Sequence, residues 1–133
     1  MPTIYRIIAV QLLSVVLVTT LLPGLSSAGD PVVPRIPVML GDYRFSPHEL
    51  TLAAGQTVLL ELTNTDRITP HNFTLRNEEG GLDIDINIPA GGSREVSLSP
   101  AVPGSYTFYC NKKFPFVKSH RKRGMEGTLV VTP

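Results

Sequence analysis

A single cysteine, Cys110, occurs in a chain of 133 residues. An intrachain disulfide is therefore impossible, and the thiol is left as a buried spare, an intermolecular partner, a nucleophile or a metal ligand. Nor does any apolar run reach the ~20 residues that a membrane-spanning helix requires. The longest, residues 7–22, is interrupted by Gln11, Ser14, Thr19 and Thr20. No stretch repeats apolar residues at helical spacing, and there is no internal repeat or low-complexity tract, which excludes bundles and solenoids. Acidic residues are missing between Glu95 and Glu126. That gap leaves Lys112, Lys113, Lys118, Arg121, Lys122 and Arg123 as one strongly basic segment in a chain whose formal charge is only +1.

What is present begins with a leader pattern. Arg6 precedes the apolar run, Pro23 and Gly24 end it, and Ser26-Ser27-Ala28 supplies small residues for a peptidase. This is the order of a secretory signal, predicting cleavage after Ala28, a periplasmic or otherwise exported protein, and no stable membrane span once the signal is removed. Residues 29–35, with Pro31 and Pro34, read as a linker, and residues 36–133 as one domain of ordinary size. Export makes nucleic acid an improbable partner for the basic segment. With no amphipathic helix around those charges, an acidic protein partner suits them better than an anionic membrane.

The domain alternates apolar and polar residues in short runs bounded by Gly, Pro, Asn and Asp. "HELTLAAG", "TVLLELTN", "HNFTLRN", "LDIDINI", "REVSLSP", "GSYTFYC" and "GTLVVTP" each carry the period of a half-buried strand. About seven to eight strands with regular turn signals predict an all-β sandwich. Residues two apart share a strand face, so Cys110 points with Tyr106 and Phe108 into the rim of the core.

Four side chains are candidates to meet there: His71 at the start of one strand, Cys110 at the end of another, and His120 and Met125 on the segment leading to the last. Two imidazoles, a thiolate and a weak axial thioether are the donor set of a mononuclear blue-copper centre. A lone cysteine excludes a binuclear centre with bridging thiolates.

"GSYTFYC…H…GMEGTLVV" resembles the C-terminal signature of the cupredoxins, the plastocyanin and azurin family, and "PHNFTL" resembles the family's upstream ligand motif. "YRFSPHELTLAAGQTVLLELTN" is similar to its opening strands. The resemblance implies a Greek-key β-sandwich, one copper ion cycling between Cu(I) and Cu(II), ligation by His71, Cys110, His120 and Met125, and an Asn72 that ties the two ligand-bearing segments together. It also implies one-electron transfer with a redox protein partner, and the basic segment Lys112–Arg123 would dock an acidic one. A copper-tolerance or carrier role would use the same residues. The sequence departs from the small members in the nine residues between Cys110 and His120, "NKKFPFVKS". That segment must fold back, with Phe114 or Phe116 packing against the end of the sandwich and Pro115 limiting its freedom.

Other features carry blander readings. His48 reads as a surface residue at a turn. Asp83, Asp85 and Asn87 read as the solvated face of a strand, since calcium ligands need a turning loop. "NFT" at Asn72 fits a glycosylation triplet, but a residue tying ligand segments would be too enclosed for a glycan. No enzyme is expected: Cys110 and His120 lack an evident orienting third group and cleft.

Overall fold

In the computed structural model, which describes residues 29–30 and 32–133, the alternating runs become nine strands in two sheets. The leader segment lies outside the described residues. The strands are β1 (Arg35–Gly41), β2 (Arg44–Ser46), β3 (Glu49–Ala53), β4 (Val58–Asn64), β5 (His71–Asn77), β6 (Leu82–Ile88), β7 (Ser93–Leu98), β8 (Gly104–Tyr109) and β9 (Glu126–Thr132). One sheet has the order β2-β1-β4-β7 and the other β3-β9-β8-β5-β6. The chain passes repeatedly between the two layers, in the Greek-key sandwich expected. No helix among the described residues is long and apolar enough to cross a membrane.

The strand count exceeds the expected seven to eight because of the first hairpin. β1 opens at Arg35, the last residue of the segment read as linker, and pairs in parallel with β4 from Arg35↔Leu59 to Leu40↔Asn64. Parallel pairing with a distant strand leaves no local turn signal. Pro37 sits within β1 because β2 reaches only as far as Met39. Beyond it β1 is an edge, where a missing N–H costs no ladder bond. A short 3₁₀ turn at Arg121–Arg123, in the basic segment, is the other element the periodicity did not foresee.

Period-two burial is cleanest in β4, where Val58, Leu60, Leu62 and Asn64 are buried and the residues between them are half-buried. Facing them from the second sheet are Phe73, Leu75, Phe108 and Leu129, all fully buried. Phe45, Phe73 and Phe108 form an aromatic cluster with ring centroids 5.0–5.8 Å apart. Each such side chain contributes about 1.5–3 kcal/mol by leaving water, and together they give the strand ends a firm floor.

β5 breaks the alternation. Its first five residues, His71 to Leu75, are all buried, because Asn72 and Thr74 on the outer face are covered by polar partners rather than solvent. At Gly127 of β9, the space a Cβ would need is already filled by the Phe108 ring and the His48 carbonyl. Gly127→Ala should therefore destabilise the fold by about 1–3 kcal/mol through overpacking, read as a lowered urea midpoint. An unchanged midpoint would show that the sheet can shift to admit the methyl.

Candidate metal centre

β5 begins, β8 ends and β9 begins at one end of the sandwich, an adjacency set by the Thr74↔Tyr109 and Tyr109↔Glu126 registers. His71 is the first residue of β5, Cys110 follows β8, and Met125 precedes β9. Main-chain bonds return the intervening segment to this end. Cys110 N–H donates to Met125 O (3.0 Å), Met125 N–H to His120 O (3.1 Å), and His120 N–H to Lys112 O (2.9 Å). Gly124 closes the 3₁₀ turn in the left-handed conformation, φ 98°, and donates to Arg121 O at 2.9 Å. A residue with a Cβ is strained there. Thus the nine-residue spacer does not carry His120 away from the thiol.

The donor atoms converge. His71 Nδ1 lies 3.1 Å from His120 Nδ1 and 3.9 Å from Cys110 Sγ, and His120 Nδ1 lies 3.4 Å from Cys110 Sγ. Bonds of about 2.0 Å to nitrogen and about 2.3 Å to sulfur would set donors in a trigonal plane roughly 3.5–3.7 Å apart, so the residues fit a single ion. His71, Cys110 and Met125 are fully buried, and His120 is 3% exposed. Two borderline nitrogens and one soft sulfur, enclosed this way, suit copper.

Hydrogen bonds fix the orientation of the donors. His71 Nε2 lies 2.8 Å from Asp66 Oδ2. A carboxylate can only accept, so in the neutral ring the proton sits on Nε2 and the Nδ1 lone pair faces His120 and Cys110. Asp66 is itself held by the Asp42 N–H, 3.1 Å from Oδ1. Burial works to raise its pKa, but the bonds from His71 and the Asp42 amide outweigh it and leave the carboxyl below its ordinary value.

On the other side, Asn72 N–H points at Cys110 Sγ (3.4 Å), and Asn72 Oδ1 accepts from Asn111 N–H (2.7 Å). One residue thus links the His71 and Cys110 segments. Its amide nitrogen donates to Thr74 Oγ1 and Asp85 Oδ1, and Asn111 Nδ2 donates to Asp85 Oδ2. Asp85 is therefore a brace for this network rather than a purely solvated strand residue. Asn72 is 1% exposed, which bars a glycan.

Aromatic walls complete the enclosure. Asp42 and Tyr43 form a two-residue turn between β1 and β2, both with positive φ (48° and 55°). Non-glycine residues pay for this conformation, and here the turn sets the Tyr43 ring edge-on to both imidazoles, 4.9 Å from His120 and 6.1 Å from His71. Arg123 lies over the Tyr43 ring at 4.5 Å, and Arg121 over Tyr109 at 4.1 Å. Phe114 tilts against His120 at 5.7 Å, while Phe116 packs on nothing and is fully exposed. Of the two phenylalanines offered as alternative anchors for the segment, Phe114 takes that place. Burial raises the Cys110 pKa, offset only in part by the Asn72 amide. Burial, then the neighbouring His71 and Arg123, lower that of His120.

Asp66, Tyr43 and Asn111 are not marked by any motif in the sequence. Each reaches the site from a turn or a strand end, where spacing carries no signal. His48 is exposed, with no part in this cluster.

Residues 11–131 match the family model described as a cupredoxin-like domain, and the chain belongs to that family. Among solved structures it is similar to auracyanin B, at 25% identity and a TM-score of 0.58, over 75% of this chain and 89% of that one. It is also similar to plastocyanin from Dryopteris crassirhizoma, at 25% identity and a TM-score of 0.50, over 73% of this chain and 100% of that one. The metal-binding domain of the Cu(I)-exporting P-type ATPase CopA of Streptococcus pneumoniae D39 shares the fold, at 15% identity and a TM-score of 0.54, over 74% of this chain and 85% of that one. No curated protein sequence matches the chain.

Removing the Asp66 carboxylate should strand a buried imidazole N–H. Asp66→Ala is expected to cost the metal-free protein about 1–3 kcal/mol, and Asp66→Asn, which keeps an acceptor, clearly less. Urea midpoints that rank the two variants equally would contradict the role assigned to this hydrogen bond.

Proposed function

We propose that the chain is an exported, one-electron carrier in which His71, Cys110 and His120 would hold a single copper ion, with Met125 as a weaker thioether donor. The observation that carries this reading is the approach of two imidazole Nδ1 atoms and one thiol sulfur to within 3.1–3.9 Å inside a buried pocket. Copper in such a set supplies reversible one-electron chemistry, the thiolate giving charge and the imidazoles suiting both oxidation states.

The chain's own contribution is enclosure and orientation. Asp66 aims His71, and Asn72 holds the Cys110 segment with one hydrogen bond and its sulfur with another. Donors fixed in this way cannot rearrange freely when the charge of the site changes, which favours rapid electron exchange. The low-polarity surroundings and the amide N–H at sulfur tune the affinity for the electron. His120, alone among the four in being not wholly buried, is flanked by Tyr43 and Phe114. It is the port through which a donor or acceptor protein would exchange electrons. An exported location agrees with the leader pattern of residues 1–28.

Copper delivery with the same residues is the second reading. The long segment before His120 favours it, because a ligand carried at the end of a long loop can be withdrawn to release metal. The main-chain bonds that pin His120 and its 3% exposure weigh toward electron transfer. No enzymatic activity is proposed.

Copper-loaded, oxidised protein should absorb strongly in the visible through thiolate-to-copper charge transfer. Cys110→Ser should abolish that band while leaving the fold intact, since serine is smaller and the fold does not rest on the sulfur. A reversible one-electron wave should accompany it in voltammetry. Absence of the band in loaded wild-type protein removes the proposal, and rapid loss of copper to a mild chelator without a reversible wave selects delivery instead.

A further inference from the structure

The segment between Cys110 and His120 ends in an apex that the metal site does not use. Phe116 is fully exposed, and Phe114 and Val117 are 43% and 48% exposed. Phe116 also adopts φ 65°, a left-handed conformation disfavoured for an aromatic residue. Lys113, Lys118, Lys122, Ser119, Phe116 and Val117 line a hollow of about 390 Å³. The two nearby arginines are engaged, Arg121 with Tyr109 and Glu126, and Arg123 with Tyr43. Among the described residues, the lysines have no acidic partner.

We propose that this apex is a docking loop for an anionic lipid bilayer, seating Phe116 and Val117 in the headgroup interface while Lys113, Lys118 and Lys122 engage lipid phosphates. Negative charge is what the lysine collar selects, and it falls off within a short distance of the surface. The apolar apex decides between lipid and protein. A phenylalanine fully exposed on a loop needs a matching cavity in a protein partner, whereas the interface of a bilayer accepts an aromatic ring of any shape. The absence of an amphipathic helix, which argued against a membrane at the level of sequence, is answered by a loop that presents apolar and basic residues together. Phe114 rests on His120 at the base of this loop, so docking would bring the metal centre close to the membrane plane. The surface itself does not depend on copper.

The test is co-sedimentation of the chain from Gly29 onward, which holds all nine strands and the whole described core, with phosphatidylcholine vesicles containing or lacking phosphatidylglycerol. Metal-free and copper-loaded forms should bind the anionic vesicles alike, ignore the neutral ones and release at high salt. Triple replacement Lys113→Glu, Lys118→Glu and Lys122→Glu should lower partitioning roughly 100-fold. Phe116→Ser with Val117→Ser should lower it about tenfold. Both sets lie on the surface, and unchanged urea midpoints will show that the fold is retained. Failure to bind anionic vesicles at low salt overturns the proposal, as does binding indifferent to the Phe116 and Val117 changes. Polyglutamate bound through the lysines by a protein that ignores vesicles would assign the loop to an acidic protein instead. A lost visible band with intact vesicle binding would sink only the copper reading.

Discussion

Everything at the working end of this protein answers to one constraint: two imidazole nitrogens and a sulfur held within 4 Å of one another, away from water. Such a cluster of lone pairs has little reason to exist for stability, since buried polar groups cost free energy unless they are paired. The surrounding structure compensates through bonds made elsewhere on the same side chains. Asp66 accepts a hydrogen bond from His71 Nε2, Asn72 donates to the sulfur through its main chain, and Asn111 and Asp85 brace Asn72 in turn. The aromatic floor of Phe45, Phe73 and Phe108 supports this end of the sheets. The core positions the donors, and the polar network aims them.

Much of this was legible in the residues. The alternation in "GSYTFYC" placed the cysteine on the core face, and the resemblance of "GMEG" before the last strand to the cupredoxin signature put Met125 at the same end. The sandwich followed from short runs and turns, and its Greek-key order from the resemblance. β1 was not legible, since its parallel partner β4 is remote and Pro37 imitates a linker. Asp66 and Tyr43 were equally hidden. The first is one polar residue in a loop, and the second owes its place to a two-residue turn that only tertiary contact can justify. His120 could be named from the resemblance, but its return to the sulfur depends on the main-chain bonds to Lys112 and Met125, which no spacing rule describes.

The basic segment, one run of charge in the sequence, divides into two groups of side chains in the structure. Its arginines are fasteners, laid over Tyr43 and Tyr109, and they hold the 3₁₀ turn that delivers His120. Lys113, Lys118 and Lys122 are exposed and line a hollow together with Phe116. A cation with a delocalised plane is well suited to stacking, and a compact ammonium on a flexible stem to meeting anions in solvent. The division of labour follows residue type.

X-ray absorption at the copper edge of the loaded protein bears most directly on the central claim. The account predicts one short copper–sulfur contact and two imidazole nitrogens around each ion, with the sulfur contact absent from Cys110→Ser protein. A spectrum of oxygen and nitrogen donors alone, unchanged by that substitution, would contradict it.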